Sequence, residues 1–463
     1  MAPTVRSFSA AFDPLGLIAR YPDIYPGLLE SSAPPGAAAG GGRFDILPIS
    51  SGEALRLSAE RRLTGPHAGG MGGFLDALER WWSELRLPAG VSAPPLGDDA
   101  ALPDPAPLPF KGGWLVYLGY EIAGEIEPRL ELPPGTDSTI ALAIRVPAAF
   151  VRDRTSGRAW LIAEPGCESL IERFARHAEE EPAVTLPWAG PAAIDEEDPA
   201  RFESAVRRAL AYIGAGDVYQ ANLSRRWQGR AHAAVSPTAL YRRLRAANPS
   251  PFAALLCDGD FSVISSSPER LFSVRDGRVS TRPIAGTRPR GETPEEDAAL
   301  IRSLVDNEKE RAEHVMLIDL ERNDLGRVCV GGSVHVDEYM AVETYAHVHH
   351  IVSNVSGEKL ASITPIEIVR AMFPGGTITG CPKVRCMEII AELEETGRGA
   401  YTGSIGYLNR DGSCDFNILI RTITTQGAAL SFRAGAGIVA DSRPEQELAE
   451  TRAKAKGLLR AVT

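Results

Sequence analysis

The chain has 463 residues, and its 49 Lys and Arg residues against 60 Asp and Glu residues give a formal net charge of −11 at pH 7. This balance disfavours a nucleic-acid binder, because neutralising phosphates requires a basic surface. With 44% apolar residues, 24% charged residues, no apolar run near the ~18 residues of a membrane span and no signal segment after Met1, the composition predicts a globular cytoplasmic protein without membrane contact.

Three segments rich in Ala, Gly, Pro or Glu separate the predicted elements. We expect loops at residues 31–42 and 94–109, because neither segment has periodic apolar residues. The third segment, residues 179–199, separates two halves of different composition. We place a domain boundary there, between an N-terminal region 1–190 and a region 191–463.

Both strands and helices are signalled in the sequence. Short apolar runs flanked by Gly or Pro, at residues 113–120 and 140–144, are typical of strands. Farther along, Thr293 and Asn307 each precede an acidic residue at the capping-box position, which predicts two helix starts, and a C-terminal helix is predicted after Ser442. Because these elements do not follow strict β-α-β alternation, the sequence predicts an α+β fold.

Two glycine-rich segments could approach a ligand. Residues 375–383 begin with the spacing of a phosphate loop, but Cys381 and Pro382 replace the Lys and Ser/Thr that a nucleotide site needs. The turn still offers backbone amides to an anion such as a carboxylate, and a tight turn without a ligand is the alternative. Residues 433–439 contain Gly-x-Gly without the third glycine of a dinucleotide motif, and a closely approached strand is the alternative.

Four charged residues are further candidates for a site. Glu313 lies in a mostly apolar helical stretch, where a carboxylate is costly to bury unless it is paired or holds a metal. Its alternative is a carboxylate near a helix start, stabilised by the helix dipole. Glu447, Glu450 and Lys454 share one helix face, and their alternative is a solvated ion pair worth a few tenths of a kcal/mol. Taken alone, the residues leave these alternatives open.

Six ordered segments resemble the motifs of one family. They are residues 216–224, 266–272, 283–291, 319–324, 373–383 and 437–442. Together they resemble the chorismate-utilising enzymes, the family that contains anthranilate synthase component I, aminodeoxychorismate synthase component I, isochorismate synthase and salicylate synthase. The resemblance spans about residues 200–460. It implies two packed antiparallel β-sheets flanked by helices, with an active-site cleft between the sheets.

The resemblance also implies a metal site and a substrate site. Glu313 and Glu450 fall on the family's ligands for Mg²⁺, an ion that prefers few carboxylates, several waters and substrate oxygens. The ring carboxylate of chorismate would meet magnesium and the backbone amides of Gly376 and Thr377. The enolpyruvyl carboxylate would meet five further positions: Tyr401, Arg421, Gly435, Gly437 and Lys454.

Four positions concern the reaction itself. Glu269 occupies the family's proposed general-acid position, and Thr287 and His350 belong to its catalytic segments. Gln220 stands where water-using members have a lysine and amine-transferring members have a glutamine. The resemblance therefore implies that ammonia is the nucleophile.

The signals for the product conflict. Asn222, His349, Gly376 and residues 43–47 resemble aminodeoxychorismate synthases, whereas Ala285 resembles anthranilate synthases, because many aminodeoxychorismate synthases have a lysine there. We expect a lysine-independent amination of chorismate to 4-amino-4-deoxychorismate, which leads to 4-aminobenzoate and folate. Anthranilate formation is the alternative reaction. A non-catalytic subunit that binds chorismate or tryptophan is the alternative of another class.

The same resemblance also implies a second ligand and two partner proteins. Two segments resemble the family's tryptophan pocket, and their residues are Leu29, Glu30, Ser31, Pro251 and Phe252. Two ordinary turns are the alternative. Because the sequence has no glutaminase nucleophile segment, we expect ammonia from a glutamine amidotransferase subunit. Removal of pyruvate from the product would fall to a separate aminodeoxychorismate lyase.

Overall fold

The computed structural model describes residues 3–8, 13–32, 42–88, 108–180, 188, 190–191, 193–344 and 348–463. The predicted loops at 31–42 and 94–109 fall mostly outside these ranges, as does much of the segment 179–199. The described ranges contain 23 β-strands, 11 α-helices and two short 3₁₀ helices, Tyr120–Ile122 and Gly376–Ile378.

The α-helices are numbered along the chain. They are α1 (Pro14–Arg20), α2 (Phe74–Leu85), α3 (Ala123–Ile126), α4 (Glu168–Glu179), α5 (Pro199–Ala215), α6 (Pro237–Ala247), α7 (Pro294–Val305), α8 (Glu308–Gly326), α9 (Pro365–Met372), α10 (Lys383–Glu394) and α11 (Pro444–Val462).

The strands of the first half are β1 (Thr4–Phe8), β2 (Gly27–Glu30), β3 (Phe44–Ile49), β4 (Ala54–Ser58), β5 (Leu63–Thr64), β6 (Gly113–Leu118), β7 (Thr139–Val146), β8 (Ala148–Asp153) and β9 (Ala159–Ala163). Those of the second half are β10 (Ile194–Glu196), β11 (Gln220–Arg230), β12 (Phe252–Asp258), β13 (Phe261–Ser267), β14 (Arg270–Arg275), β15 (Arg278–Thr281), β16 (Ile284–Pro289), β17 (His335–Thr344), β18 (Val348–Glu358), β19 (Gly380–Cys381), β20 (Ser404–Asn409), β21 (Cys414–Asn417), β22 (Thr422–Gln426) and β23 (Ala429–Ile438).

The strands form two antiparallel sheets within the described ranges. Sheet 1 has the order β1-β9-β8-β3-β2-β12-β13-β22-β23-β11-β10, with β19 paired to β11. Sheet 2 has the order β16-β18-β15-β14-β21-β20-β6-β7-β4-β5, with β17 paired to β18. The expected α+β fold with two antiparallel sheets is therefore confirmed.

Each sheet combines strands from both sides of residue 190. In sheet 1 the two sets meet where β2 pairs with β12, for example at Leu29 and Ala254. In sheet 2 they meet where β6 pairs with β20, for example at Leu115 and Tyr407. The N-terminal strands thus extend both sheets outward from the strands that carry most of the motifs.

Apolar side chains fill the space between the sheets and cover their outer faces. Between the sheets lies a buried cluster that includes Tyr117, Val151, Val263 and Leu419. Helices α1, α4, α6 and α11 cover sheet 1, whereas α2, α8 and α9 pack on sheet 2. Burial of this apolar area is the main stabilising contribution to the fold.

The predicted helix starts are confirmed. The Thr293 side chain accepts a hydrogen bond from the Glu296 amide at the start of α7, and Asn307 does the same for Glu310 at the start of α8. Such caps satisfy amides that have no partner inside the helix. They hold α8 beside β16 and β18, at one wall of the cleft described below.

Two observations concern the described residues as a whole. No helix among them has the length and apolar character needed to cross a membrane. All six cysteines lie in the described ranges and are free.

Candidate active site

A cleft of about 730 Å³ lies where β11 and β23 of sheet 1 approach β16 and β18 of sheet 2. Helices α8 and α11 and the 3₁₀ turn Gly376–Ile378 complete its walls. The structure brings 13 of the predicted substrate, metal and catalytic positions to this cleft: Gln220, Glu269, Ala285, Thr287, Glu313, His350, Thr377, Tyr401, Arg421, Gly435, Gly437, Glu450 and Lys454.

Gly376 does not line the cleft, although its neighbour Thr377 does. A Cβ at Gly376 would lie 2.4 Å from Leu320 Cδ2 and 3.3 Å from Glu321 Oε1. The glycine is therefore required by close packing against α8. Its predicted contact with the substrate carboxylate remains a prediction.

Glu269 is the buried carboxyl of the cleft, with 6% of its surface exposed. Burial raises the pKa of this group to about 7, against the lowering effects of a Thr377 hydrogen bond and the positive charges of Lys454 and Arg421. The Thr377 hydroxyl donates to Glu269 Oε1 over 2.7 Å. Near neutral pH this carboxyl is part-protonated, as a general acid must be.

Gln220 and Glu313 form a hydrogen-bonded pair in the wall of the cleft. Gln220 Nε2 donates to Glu313 Oε1 over 2.9 Å. Gln220 Oε1 is buried and accepts no hydrogen bond from the residues that the structure describes. Burial raises the pKa of Glu313, and repulsion from Glu310 and Glu450 adds to the effect. The pair thus combines a buried acceptor that lacks a partner with a concentration of negative charge.

Lys454 connects the acidic wall to the glycine strand. Its Nζ lies 2.7 Å from Glu450 Oε1 and donates to the Gly435 carbonyl over 3.0 Å. The side chains of Lys454 and Glu450 are 44% and 47% exposed, so the pair taken alone is weak. Its position at the cleft suits a role in ligand binding better than a role in stability.

Two further carboxylates, Glu310 and Glu447, line the cleft; Glu447 was a candidate from its helix face, whereas Glu310 was missed. Each precedes a predicted metal ligand by three residues on the same helix, so the pattern Glu-x-x-Glu occurs on both α8 and α11. Glu310 lies 3.0 Å from Arg288 Nη1. The repeated spacing was the available signal, but it is also common on solvated helices.

The acidic wall fits a magnesium ion. Over the described ranges, no three His, Cys, Asp or Glu side chains converge on a single metal position. Magnesium does not require such a cage, because it retains waters and substrate oxygens beside one or two carboxylates. Glu313 and Glu450 face one cleft, and the repulsion that raises the Glu313 pKa would be relieved by a divalent cation.

His350 and Thr287 lie opposite each other on paired strands β18 and β16. His350 Nδ1 is 3.0 Å from Thr287 Oγ1 and 3.2 Å from the Gly286 carbonyl. Burial, with the positive charge of Arg421, lowers the pKa of His350 to about 3. The imidazole is therefore neutral at physiological pH and a weak base.

The opposite wall of the cleft is suited to an anion. Arg421 and Tyr401 line it, and burial raises the pKa of Tyr401 to about 12, so its hydroxyl stays protonated as a donor. Two glycines on β23 leave space beside these groups. A Cβ at Gly435 would lie 2.6 Å from Tyr401 Oη, and one at Gly437 would lie 2.3 Å from Gln220 Nε2.

Gly437→Ala tests whether the position of Gln220 matters to the site. The added methyl group would displace the Gln220 amide and break its hydrogen bond to Glu313, so we expect turnover to fall at least about tenfold, as for other misplaced reacting groups. Gly214→Ala is the matched control, because a Cβ there meets nothing within 4 Å. Equal activity in both variants, measured with the fold checked by circular dichroism, would contradict the prediction.

A second cavity of about 540 Å³ contains most of the predicted tryptophan pocket. Leu29, Glu30, Pro251 and Phe252 line it, on β2 and at the start of β12. Ser31 is buried and does not line this cavity; its amide donates to Asp45 Oδ1 over 3.3 Å. Four of the five predicted positions thus meet at one cavity, outside the cleft.

Known proteins resemble this chain in sequence and in fold. The family model described as chorismate binding enzyme matches residues 49–460. The aminodeoxychorismate synthase component 1 of Bacillus subtilis is 46% identical over 76% of this chain and 77% of its own length. An anthranilate synthase component I-like protein of Synechocystis is 44% identical over 77% of this chain and 74% of its own.

A solved structure gives the same result. The crystal structure of anthranilate synthase component I from Streptococcus pneumoniae superposes with a TM-score of 0.76 at 32% sequence identity. The match covers 90% of this chain and 92% of that one. Relatives named as aminodeoxychorismate synthase and relatives named as anthranilate synthase are thus similarly close to this chain.

Proposed function

This chain belongs to the chorismate-binding enzymes, and we propose that it transfers ammonia to chorismate to form 4-amino-4-deoxychorismate. The observation that carries the proposal is Gln220, a buried amide in the lining of the cleft that donates to Glu313 and has an acceptor oxygen without a partner among the described residues. An amide oxygen can accept a hydrogen bond from ammonia. This bond can hold the lone pair of the nitrogen toward the ring of chorismate. It cannot remove a proton from water, as a neutral lysine could.

Chorismate carries two carboxylates, and the cleft offers a different environment to each. The enolpyruvyl carboxylate suits the wall that holds Arg421, Lys454 and the Tyr401 hydroxyl, because a guanidinium can bind a carboxylate at two points. The ring carboxylate suits the acidic wall only when a cation is present. Glu313 and Glu450 would hold that magnesium ion, which would neutralise the ring carboxylate and orient it.

The chain's own residues account for the protons. Glu269 donates its proton to the ring hydroxyl, which leaves as water while its C–O bond breaks. The nitrogen of ammonia forms the new C–N bond at C4 and then returns a proton to the Glu269 carboxylate, so one water is released for each ammonia added and the carboxyl is restored. Gln220 orients the ammonia, and Thr287 holds the neutral His350 in place.

The choice of product rests on several positions. Asn222, which resembles the aminodeoxychorismate synthases, lines the cleft. Like Gln220, it has an amide oxygen without a partner among the described residues. Release of pyruvate to form anthranilate would need a base, and a His350 pKa of about 3 makes that residue a weak one. Ala285, which lines the cleft and cannot bond covalently to the ring, favours anthranilate as the second candidate product.

The product is tested directly. The purified chain is incubated with chorismate, magnesium and an ammonium salt, with and without 4-amino-4-deoxychorismate lyase. We expect 4-aminobenzoate only when the lyase is present. Anthranilate formed without the lyase would contradict the proposed product, and chorismate that binds but is never consumed would favour the non-catalytic alternative.

Ala285→Lys tests the lysine-independent reaction. Because the wild type has no amine at this position, we expect activity without the substitution. If the wild type is inactive and the Ala285→Lys variant has at least about tenfold higher turnover, the lysine-independent reaction is contradicted. Ala285→Ser serves as a control for a larger polar side chain at the same place.

Gln220→Lys tests the choice of nucleophile. A lysine amine in this wall could activate water, so we expect isochorismate to appear and amination to fall by at least about tenfold. Mass spectrometry of the products is the measurement. A variant that aminates as fast as the wild type would show that Gln220 does not hold the ammonia.

The proposal extends to supply and binding partners. We propose that a glutamine amidotransferase subunit supplies the ammonia in the cytoplasm and that a separate lyase consumes the product. We also propose tryptophan as the ligand of the second cavity, where Phe252 and Glu30 would meet its ring and its amino group. A rise in Tm with tryptophan, absent in Phe252→Asp, would support this assignment.

A further inference from the structure

A buried arginine lies behind the wall of the cleft that holds Tyr401. Arg398 is 4% exposed and does not line the cleft, whereas Tyr401, three residues later, does. The guanidinium carbon of Arg398 lies 5.5 Å from the centroid of the Tyr401 ring and 5.1 Å from that of the Tyr120 ring. A cation is attracted to the face of an aromatic ring, so Arg398 restrains the Tyr401 ring from outside the cleft.

Every N–H group of this guanidinium has an acceptor. Nε and Nη2 donate to the two carboxylate oxygens of Glu394, at the end of α10, over 3.1 and 2.6 Å. The other three bonds go to the Asn222 carbonyl over 2.7 Å, the Ile378 carbonyl over 3.1 Å and the Thr402 hydroxyl over 3.3 Å. An arginine has five N–H donors in a fixed plane, and here all five are used.

These acceptors lie on segments that are far apart in the sequence. Asn222 is on β11 of sheet 1, and Ile378 ends the 3₁₀ turn that also contains Thr377. Thr402 follows Tyr401 directly. A single side chain thus joins a strand, a turn and the tyrosine segment, all of which contribute residues to the cleft.

The backbone beside Tyr401 needs such a restraint. Thr402 has a φ of 63°, in the left-handed region, which is unfavourable for a β-branched residue and persists only where the surrounding structure holds it. Its hydroxyl accepts a hydrogen bond from Arg398 and donates one to the Tyr401 carbonyl. The Tyr401 amide in turn donates to the Arg398 carbonyl over 3.1 Å. Arg398 is therefore linked to both the ring and the backbone of Tyr401.

The restrained groups meet at one point of the cleft. A Cβ at Gly435 would lie 2.6 Å from Tyr401 Oη and 2.9 Å from Asn222 Oδ1. The Tyr401 hydroxyl is thus close to the Asn222 amide beside the glycine strand, at the wall assigned above to the enolpyruvyl carboxylate. A shift of the ring by about 1 Å would take the hydroxyl out of hydrogen-bond reach of a bound carboxylate.

We propose that Arg398 is a positioning residue for chorismate, an inference that rests on the proposed function. It holds the Tyr401 hydroxyl where the enolpyruvyl carboxylate accepts a hydrogen bond, and it does so without touching the substrate. Glu394 keeps Arg398 in place, and Arg433 donates to the same carboxylate over 2.8 Å.

Arg398→Lys tests this role. Lysine keeps the positive charge but has only three donors, so it cannot hold all five acceptors. We expect the KM for chorismate to rise at least about tenfold while kcat falls less than about threefold, because a bond to the bound substrate is lost. A loss of folded protein alone would lower kcat and leave KM unchanged. Consumption of chorismate with magnesium and ammonium salt is the measurement, so that either product is counted.

Arg145→Lys is the matched control. Arg145 on β7 is 6% exposed, pairs with Glu164 and lies 5.1 Å from the Trp114 ring centroid, but it does not line the cleft. Both variants should lower the Tm, because each disturbs a buried ion pair. Arg145→Lys should leave the KM within about twofold of the wild type. An equal rise in KM in the two variants would overturn the positioning role.

A double-mutant cycle shows whether Arg398 acts through Tyr401. Tyr401→Phe should raise the KM about tenfold in the wild type but less than about threefold in Arg398→Lys, where the hydroxyl is already misplaced. Equal effects in the two backgrounds would overturn the positioning role and leave the proposed substrate wall intact. An unchanged KM in Tyr401→Phe alone would remove that wall and the role of Arg398 with it.

Thr402→Val decides the matter if Arg398→Lys does not fold. This variant removes one of the five acceptors and keeps the shape of a buried side chain that does not line the cleft. We expect the KM for chorismate to rise at least about threefold. A KM equal to that of the wild type would overturn the proposal.

Discussion

Glu269→Gln should lower turnover about 10³-fold, within the usual contribution of a general acid. The amide cannot give a proton to the departing hydroxyl, which must then leave as hydroxide. Because burial raises the pKa of Glu269 to about 7, the wild-type carboxyl is protonated below that pH and ionised above it. The wild-type rate should therefore fall as the pH rises through about 7, which gives the pH–rate profile a falling limb. The profile of the variant should lack this limb.

Two other variants sharpen this test. The Thr377 hydroxyl lowers the Glu269 pKa by donating to the carboxylate, so Thr377→Val should move the falling limb to higher pH. Glu121 is the matched control, because burial also raises its pKa to about 7 but it does not line the cleft. Glu121→Gln should leave the limb in place. A limb that survives in Glu269→Gln would remove the residue from the general-acid role.

Stability gives an independent check that Glu269→Gln folds. A carboxyl whose pKa is raised by folding makes the folded state progressively less stable as the pH rises from its ordinary pKa of 4.5 through its folded pKa of about 7, because the ionised form is better solvated when unfolded. An amide does not ionise. We therefore expect the Tm of the variant at pH 8 to equal or exceed that of the wild type.

Glu313→Gln and Glu450→Gln should each reduce magnesium-dependent turnover by at least about 10³-fold. Each removes a negative charge from the acidic wall, and the ring carboxylate of chorismate then lacks the magnesium ion that we propose as its counter-ion. The binding of Mg²⁺ alone, measured by calorimetry, should weaken in parallel. Addition of EDTA to the wild type should reproduce the loss, and restored magnesium should reverse it.

Glu445→Gln provides the control for the two metal-site variants. Glu445 is an exposed residue on the first turn of α11, 3.7 Å from Arg207, and does not line the cleft. Its substitution should change neither Mg²⁺ affinity nor turnover. Unchanged turnover in Glu313→Gln or Glu450→Gln would remove that residue from the metal assignment.

Local signals predicted the elements that carry the site. Thr293 and Asn307 cap their helices through hydrogen bonds to residues three positions later, so a short stretch of sequence contains the whole interaction. The apolar runs that predicted strands are buried in β6 and β7. The 113–120 run, however, ends as a strand at Leu118, and Tyr120 begins a 3₁₀ helix.

Contacts between distant segments were not predictable in the same way. Gly376 resembled a ligand-binding glycine, but Leu320 on α8 packs against it, and only the folded chain brings the two together. Glu310 was missed, and Glu447 kept a solvated helix face as its alternative, because an i,i+3 glutamate pair on a helix is ordinary until both helices face one cleft.

The strand order of the two sheets also matters while the protein is being synthesised. Leu29 pairs with Ala254 and Leu115 with Tyr407, so β2 and β6 emerge from the ribosome long before their partners exist. Until then their open edges can pair with other chains, which is the usual route to aggregation for late-forming sheets. Such distant contacts also slow folding. Chaperones and slow, cool expression should therefore raise the soluble yield of the full chain, and residues 1–190 produced alone should aggregate.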